Sequence, residues 1–63
     1  MNRTEKLLLR DALIDEEFNS DLERITDDVK AKIYTHEQRN DYLVFAYYGY
    51  LLGKNEYNPK NYE

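Results

Sequence analysis

The chain has 63 residues, no cysteine and a net charge of −4, with 13 acidic and nine basic residues. This length allows one domain with a small core, and the lack of cysteine excludes disulfide bridges and thiolate metal sites. No apolar run approaches the roughly 20 residues that span a bilayer, and the N-terminus does not have the apolar stretch of a secretory signal. We therefore expect a cytoplasmic domain without membrane contact, held together by helix packing or by association.

The acidic residues are concentrated in one region of the chain. From Asp11 to Asp28 there are eight acids and one base, a net charge of −7, whereas the rest of the chain has five acids and eight bases. A dense field of one sign repels nucleic acid and attracts a basic protein surface. The region is thus a candidate binding site for a larger basic protein.

Three capping boxes indicate three helices. At Asn2, Ser20 and Thr35, a small polar residue is followed three positions later by Glu or Gln, so each pair can satisfy backbone N–H groups at a helix start. The predicted helices run over about residues 3–18, 21–34 and 36–52, and Gly53 provides a left-handed stop. We expect an all-α fold, a compact three-helix bundle in residues 1–53 with a short polar C-terminal tail in residues 54–63.

The apolar patterns of the second and third helices differ. Helix 2 has one stripe with spacings of three, four and four residues, formed by Leu22, Ile25, Val29 and Ile33. The run from Tyr42 to Leu52 has no charge and places apolar or phenolic groups around the whole of helix 3, so a second copy, another protein or the tail must cover part of it. An alternative is an α+β fold, because the aromatic content of Tyr42–Tyr50 also suits a strand.

Few groups in the sequence could carry catalysis. Ser20 and His36 are the single serine and histidine, and both fall at predicted helix starts. The acidic pairs lie on exposed helix faces of a chain too small to enclose a substrate, and their spacing matches no metal-binding loop. We therefore expect no enzyme activity, no cofactor and no metal site.

The first functional hypothesis is a stoichiometric inhibitor that occupies a basic, nucleic-acid-binding surface of a larger protein. Its carboxylates would stand in for phosphates, and its tyrosines would add anchors that lose little conformational freedom. The chain is similar in type to small phage-encoded inhibitors of host defence or transcription, including anti-CRISPR and anti-restriction proteins, without a motif that carries over any residue. The predicted partner-binding residues are Asp11, Asp15, Glu16, Glu17, Asp21, Asp27, Asp28, Tyr47 and Tyr48.

The second hypothesis is a homo-oligomeric regulatory adaptor or antitoxin-like partner. Apolar residues of helix 1 and the surplus face of helix 3 would meet their copies; the predicted self-association residues are Leu8, Leu9 and Leu13. A third hypothesis, a small nucleic-acid-binding regulator, needs a basic recognition helix. The bases are dispersed in a negatively charged chain, which disfavours direct binding to nucleic acid.

Overall fold

The computed structural model of the chain describes residues 1–25 and 35–63. Helix α1 is Arg3–Ile14, α2 is Glu16–Ile25 and α3 is His36–Gly53, and a short 3-10 helix follows at Pro59–Tyr62. Over these residues the fold is an all-α three-helix bundle, which confirms the predicted class. The described residues contain no strand, and Tyr42–Tyr50 lies within α3, so the alternative α+β fold is wrong.

Polar side chains determine where α1 and α3 begin. Asn2 Oδ1 accepts a 2.8 Å hydrogen bond from the Glu5 N–H, and the Glu5 carboxylate accepts one of 3.4 Å from the Asn2 N–H. The Thr35 hydroxyl accepts a 3.1 Å bond from the N–H of Gln38. These bonds satisfy N–H groups that have no partner inside the helix. Both helix starts are therefore as predicted.

The boundary between α1 and α2 lies at Asp15, not at Ser20. Asp15 has extended backbone angles, and its Oδ1 accepts a 3.0 Å hydrogen bond from the N–H of Phe18. The Asn19 amide group donates to the main-chain oxygens of Ala12 and Asp15, at 2.8 and 2.7 Å. The predicted capping box at Ser20 is wrong because Asp15 supplies the same chemistry earlier, which leaves Ser20 exposed inside α2.

The end of α3 is a left-handed turn at Asn55. Asn55 has a φ of 58°, whereas the φ of Gly53 is not positive. The Asn55 N–H donates to the Leu52 carbonyl at 3.1 Å, and the Glu56 N–H donates to the Leu51 carbonyl at 2.9 Å. This pair of bonds is a Schellman motif, in which asparagine can take the left-handed position. The stop predicted at Gly53 is therefore wrong by two residues.

The predicted second helix is described only in its first part. Leu22, the first residue of its apolar stripe, is half-buried and packs against the core. The later stripe residues Val29 and Ile33 lie outside the described residues, as do Asp27 and Asp28.

The core is formed by one face of each helix and by the C-terminal segment. α1 packs chiefly against α3 and also contacts α2 and the 3-10 helix. The buried residues are Leu8, Ala12, Phe18, Leu43, Val44, Tyr47, Leu51 and Tyr62. The segment predicted as a polar tail therefore contributes a buried aromatic ring to the core.

Candidate functional site

An acidic surface covers the exposed side of α2. Glu16, Glu17 and Glu23 are exposed, and at 100° per residue they lie on the side of the helix away from the buried Phe18. We call Glu16, Glu17 and Glu23 the acidic face. Asp21 lies at its margin and is half-buried, and the exposed Arg24 is the base among these residues.

Asp15 joins the start of α2 to the middle of α3. Its Oδ2 accepts a 3.0 Å hydrogen bond from the hydroxyl of Tyr47, while its Oδ1 accepts the bond from Phe18. Tyr47 is only 5% exposed. Burial, and then the hydrogen bond to the Asp15 carboxylate, raise the pKa of Tyr47 far above its ordinary value of 10.0. Both carboxylate oxygens of Asp15 therefore already accept hydrogen bonds within the fold.

Asp11 holds the C-terminal segment against α1. The Tyr62 hydroxyl donates a 2.9 Å hydrogen bond to Asp11 Oδ2, and burial together with this bond raises the pKa of Tyr62 to about 12. The Thr4 hydroxyl donates to the Tyr62 carbonyl, and Arg3 Nε donates to the Glu63 carbonyl at 2.6 Å. These three hydrogen bonds therefore fix the last two residues, Tyr62 and Glu63, against α1.

Aromatic rings hold α2 against α3. The Phe18 ring meets those of Tyr47 and Tyr50 edge to face, with centroids 4.9 and 5.2 Å apart.

The Lys54 ammonium donates to the Tyr50 hydroxyl at 3.2 Å and to Glu17 Oε2 at 3.3 Å. The hydrogen bond to Tyr50 is the main cause that raises the pKa of Lys54, with Glu17 adding to it. Within the described residues, Glu17 is thus the member of the acidic face that forms an ion pair.

The structure divides the described acids of the predicted partner-binding set into two groups. Glu16 and Glu17 lie on the acidic face and Asp21 at its margin, whereas Asp11 and Asp15 accept hydrogen bonds from buried tyrosines. Tyr47 lies in the core, so the prediction of this side chain as a surface anchor needs correction. Tyr48 is 39% exposed and packs edge to face on Tyr57, with centroids 4.9 Å apart.

The predicted self-association residues do not form one surface. Leu8 is 3% exposed and lies in the core, because it is on the side of α1 that faces α3. Leu9 is half-buried and packs against the core, and only Leu13 is largely exposed. Leu8 must therefore be removed from the set that a second copy could reach.

An exposed apolar surface lies on α3, and Tyr48 is the one of its residues that the sequence analysis named, as a partner-binding residue. Phe45 is 72% exposed, and Tyr48 and Leu52 follow it at spacings of three and four residues. At 100° per residue these three side chains lie on the side of α3 opposite the core residue Leu43. We call Phe45, Tyr48 and Leu52 the α3 face. Their heptad-like spacing is the signal that could have found them.

The described residues offer neither a metal-binding cluster nor a membrane-spanning helix. In residues 1–25 and 35–63, no group of three or more His, Asp or Glu side chains is arranged to hold a metal ion. Over the same residues, no helix is both long enough and apolar enough to cross a membrane.

Comparison with protein-family models, with curated proteins and with solved structures found no match to this chain.

Proposed function

We propose that the protein is a stoichiometric inhibitor that binds a basic, nucleic-acid-handling surface of a larger protein through the acidic face. The observation that carries the proposal is the placement of Glu16, Glu17 and Glu23 together on the exposed side of one helix. Carboxylates presented in this way can occupy the positions that phosphates take on a basic protein. Small phage-encoded inhibitors of host defence or transcription are the class of protein that this mode of action resembles.

Contacts at the start of α2 support this proposal. Phe18, on the core side of the helix, packs against two tyrosine rings of α3. The Asp15 cap and the bridging amide of Asn19 fix the first turn of α2 relative to α1. A binding surface that is already ordered loses less conformational freedom when it meets its partner. The fold thus holds in place the first turn of α2, which carries Glu16 and Glu17.

The ion pair of Glu17 is compatible with binding. Lys54 lies 3.3 Å from Glu17, and the Glu17 side chain is 68% exposed. An exposed ion pair contributes little to stability, so a basic partner can replace Lys54 at small cost. Asp11 and Asp15 are different, because a partner that bound them would have to displace the hydroxyls of Tyr62 and Tyr47. We therefore assign the contact to the acidic face and to Asp21 at its margin.

The test compares three baits in affinity capture from a bacterial lysate. One is the unchanged protein, and one carries Glu16→Gln, Glu17→Gln and Glu23→Gln. The matched control carries Glu37→Gln, Asp41→Asn and Glu63→Gln, which remove the same number of exposed acids from α3 and the C-terminus. Asp15 is left unchanged in both variants, because its loss would disturb the start of α2.

We expect the unchanged protein and the control to retain one basic nucleic-acid-binding protein, released by salt and competed by DNA or RNA. The acidic-face variant should lose it, while the circular dichroism spectra of all three baits agree. Equal capture by all three baits, or capture of nothing, would overturn the proposal.

A further inference from the structure

We propose that the α3 face is a self-association surface that packs, antiparallel, on the same face of a second copy, with the two helices crossing at Gly49. This inference is independent of the proposed inhibitor function, since it concerns a different surface with different chemistry. Four observations carry it: apolar area, an unexplained glycine, the arrangement of large and small residues about that glycine, and the absence of charge.

The exposed apolar area suits a weak dimer. Phe45, Tyr48 and Leu52 are 72%, 39% and 51% exposed. If a large side chain offers about 200 Å², they expose about 300 Å² in one copy, the size of patch that marks an interaction site. Two copies would bury about 600 Å² from these side chains, which is less than the roughly 1,200 Å² of a stable interface and corresponds to a weak, transient contact. The dimer should therefore form at high protein concentration.

Gly49 lies inside α3 without a reason in the described part of the fold. It is exposed, its φ is not positive, and an added Cβ would meet no heavy atom within 4 Å. Glycine inside a helix lowers helix stability relative to alanine. A glycine does, however, allow another backbone to approach closely. A helix of another molecule that crosses α3 at Gly49 would thus explain why glycine occurs there.

The residues on either side of Gly49 indicate that the crossing helix is α3 of a second copy of the chain. Phe45 lies four residues before Gly49, and Gly53 lies four residues after it. In an antiparallel crossing centred on Gly49, Phe45 of each copy is placed over Gly53 of the other. Gly53 is exposed and has open space where its Cβ would be, so it can receive a large ring. The surface is therefore complementary to itself.

The lack of charge on the α3 face favours a second copy of the chain over the basic partner proposed for the acidic face. No charged residue occurs from Tyr42 to Gly53. A second copy would thus bury no charge at the centre of the contact, whereas a basic surface placed there would lose hydration without gaining an ion pair. The acidic regions of two copies, in contrast, would repel each other.

Sedimentation equilibrium from about 1 μM to about 1 mM protein tests the inference. We expect the mass to rise from that of one chain, 7.7 kDa, towards twice that value. Phe45→Lys should abolish the rise. Ile14→Lys is the matched control, because Ile14 is 73% exposed on α1, outside the α3 face, and this variant should still associate.

Gly49→Ala provides a second test that does not depend on a new charge. The methyl group has free space in one copy, so the thermal midpoint of the dilute protein should rise, while association at high concentration should weaken at least tenfold. A mass of 7.7 kDa at every concentration would overturn the proposal, as would equal association of the Phe45→Lys variant. Monomeric protein that captures a different chain through Phe45 would identify another occupant and would also overturn it.

Discussion

The Tyr47 hydroxyl donates a 3.0 Å hydrogen bond to Asp15 Oδ2, while Asp15 Oδ1 caps the first turn of α2. One carboxylate therefore fixes both the start of α2 and the position of α3 beside it. The contact lies at the start of α2, the helix that carries the acidic face. The stability of the corner between α1 and α2 is thus connected to the proposed binding surface.

Removal of the Tyr47 hydroxyl should destabilise the fold while leaving its aromatic packing in place. We expect Tyr47→Phe to lower the free energy of unfolding by about 1.5 to 3 kcal/mol, because the hydroxyl is buried and its acceptor is charged. Urea unfolding followed by circular dichroism measures the change. Tyr48→Phe is the control, since Tyr48 is exposed, and its effect should be within about 0.5 kcal/mol. Equal effects of the two substitutions would contradict the role of the Tyr47 contact.

The location of the helix boundary can be tested by exchanging the two candidate caps. Asp15→Ala should cost about 1 to 2 kcal/mol for the cap, with a further loss from the hydroxyl of Tyr47 that it leaves without an acceptor. Ser20→Ala should be neutral or slightly stabilising, because Ser20 is exposed inside α2, where alanine is the better helix former. The urea unfolding midpoints of the two variants, compared with that of the unchanged protein, show which residue caps α2. A larger loss for Ser20→Ala would return the boundary to the predicted position.

The left-handed turn at Asn55 leads to a prediction about three substitutions. Asn55→Val should cost about 1 to 2 kcal/mol, because a β-branched residue at a φ of 58° is strained, whereas Asn55→Gly should be tolerated. Gly53→Ala should also be tolerated, since Gly53 does not have a positive φ and has open space around its Cβ position. Thermal unfolding midpoints check these expectations. Strong destabilisation by Gly53→Ala with no effect of Asn55→Val would place the helix stop at Gly53.

Tyr62 should make the stability of the protein fall at high pH. Its pKa is about 12 in the folded protein against an ordinary value of 10.0, so the unfolded chain loses the phenolic proton first. The protonated Tyr62 side chain contributes fully to the stability of the fold below pH 10.0, and this contribution is lost as the pH rises through about 12. Urea midpoints at about pH 9 and about pH 11 should therefore differ less for Tyr62→Phe than for the unchanged protein. Parallel changes in the two proteins would show that Tyr62 does not titrate in this way.

The sequence predicted the features of the fold that depend on neighbouring residues. The caps at Asn2 and Thr35 act over three residues, so their patterns were readable directly. The choice between Ser20 and Asp15 could not be made in the same way, because both residues are good caps. It is decided by the amide of Asn19, which reaches back to Ala12 across the boundary. That contact depends on the three-dimensional course of the chain.

The sequence could not show which acidic side chains are exposed, for a similar reason. The count of acids marked the region from Asp11 to Asp28, and Glu16 and Glu17 are exposed there. The count could not distinguish them from Asp11, whose partner Tyr62 lies 51 residues further along the chain. Such pairing follows from the docking of the C-terminal segment. No local pattern reveals it.

The central claim, that the acidic face is the binding surface, is tested most directly by nuclear magnetic resonance. The isotope-labelled protein would be titrated with the basic protein recovered in the capture experiment, and changes in amide chemical shifts would be mapped onto the helices. We expect the largest changes in α2, at residues 16–24, with smaller ones at Lys54 beside Glu17. Changes confined to residues 45–52 of α3, with α2 unaffected, would contradict the claim.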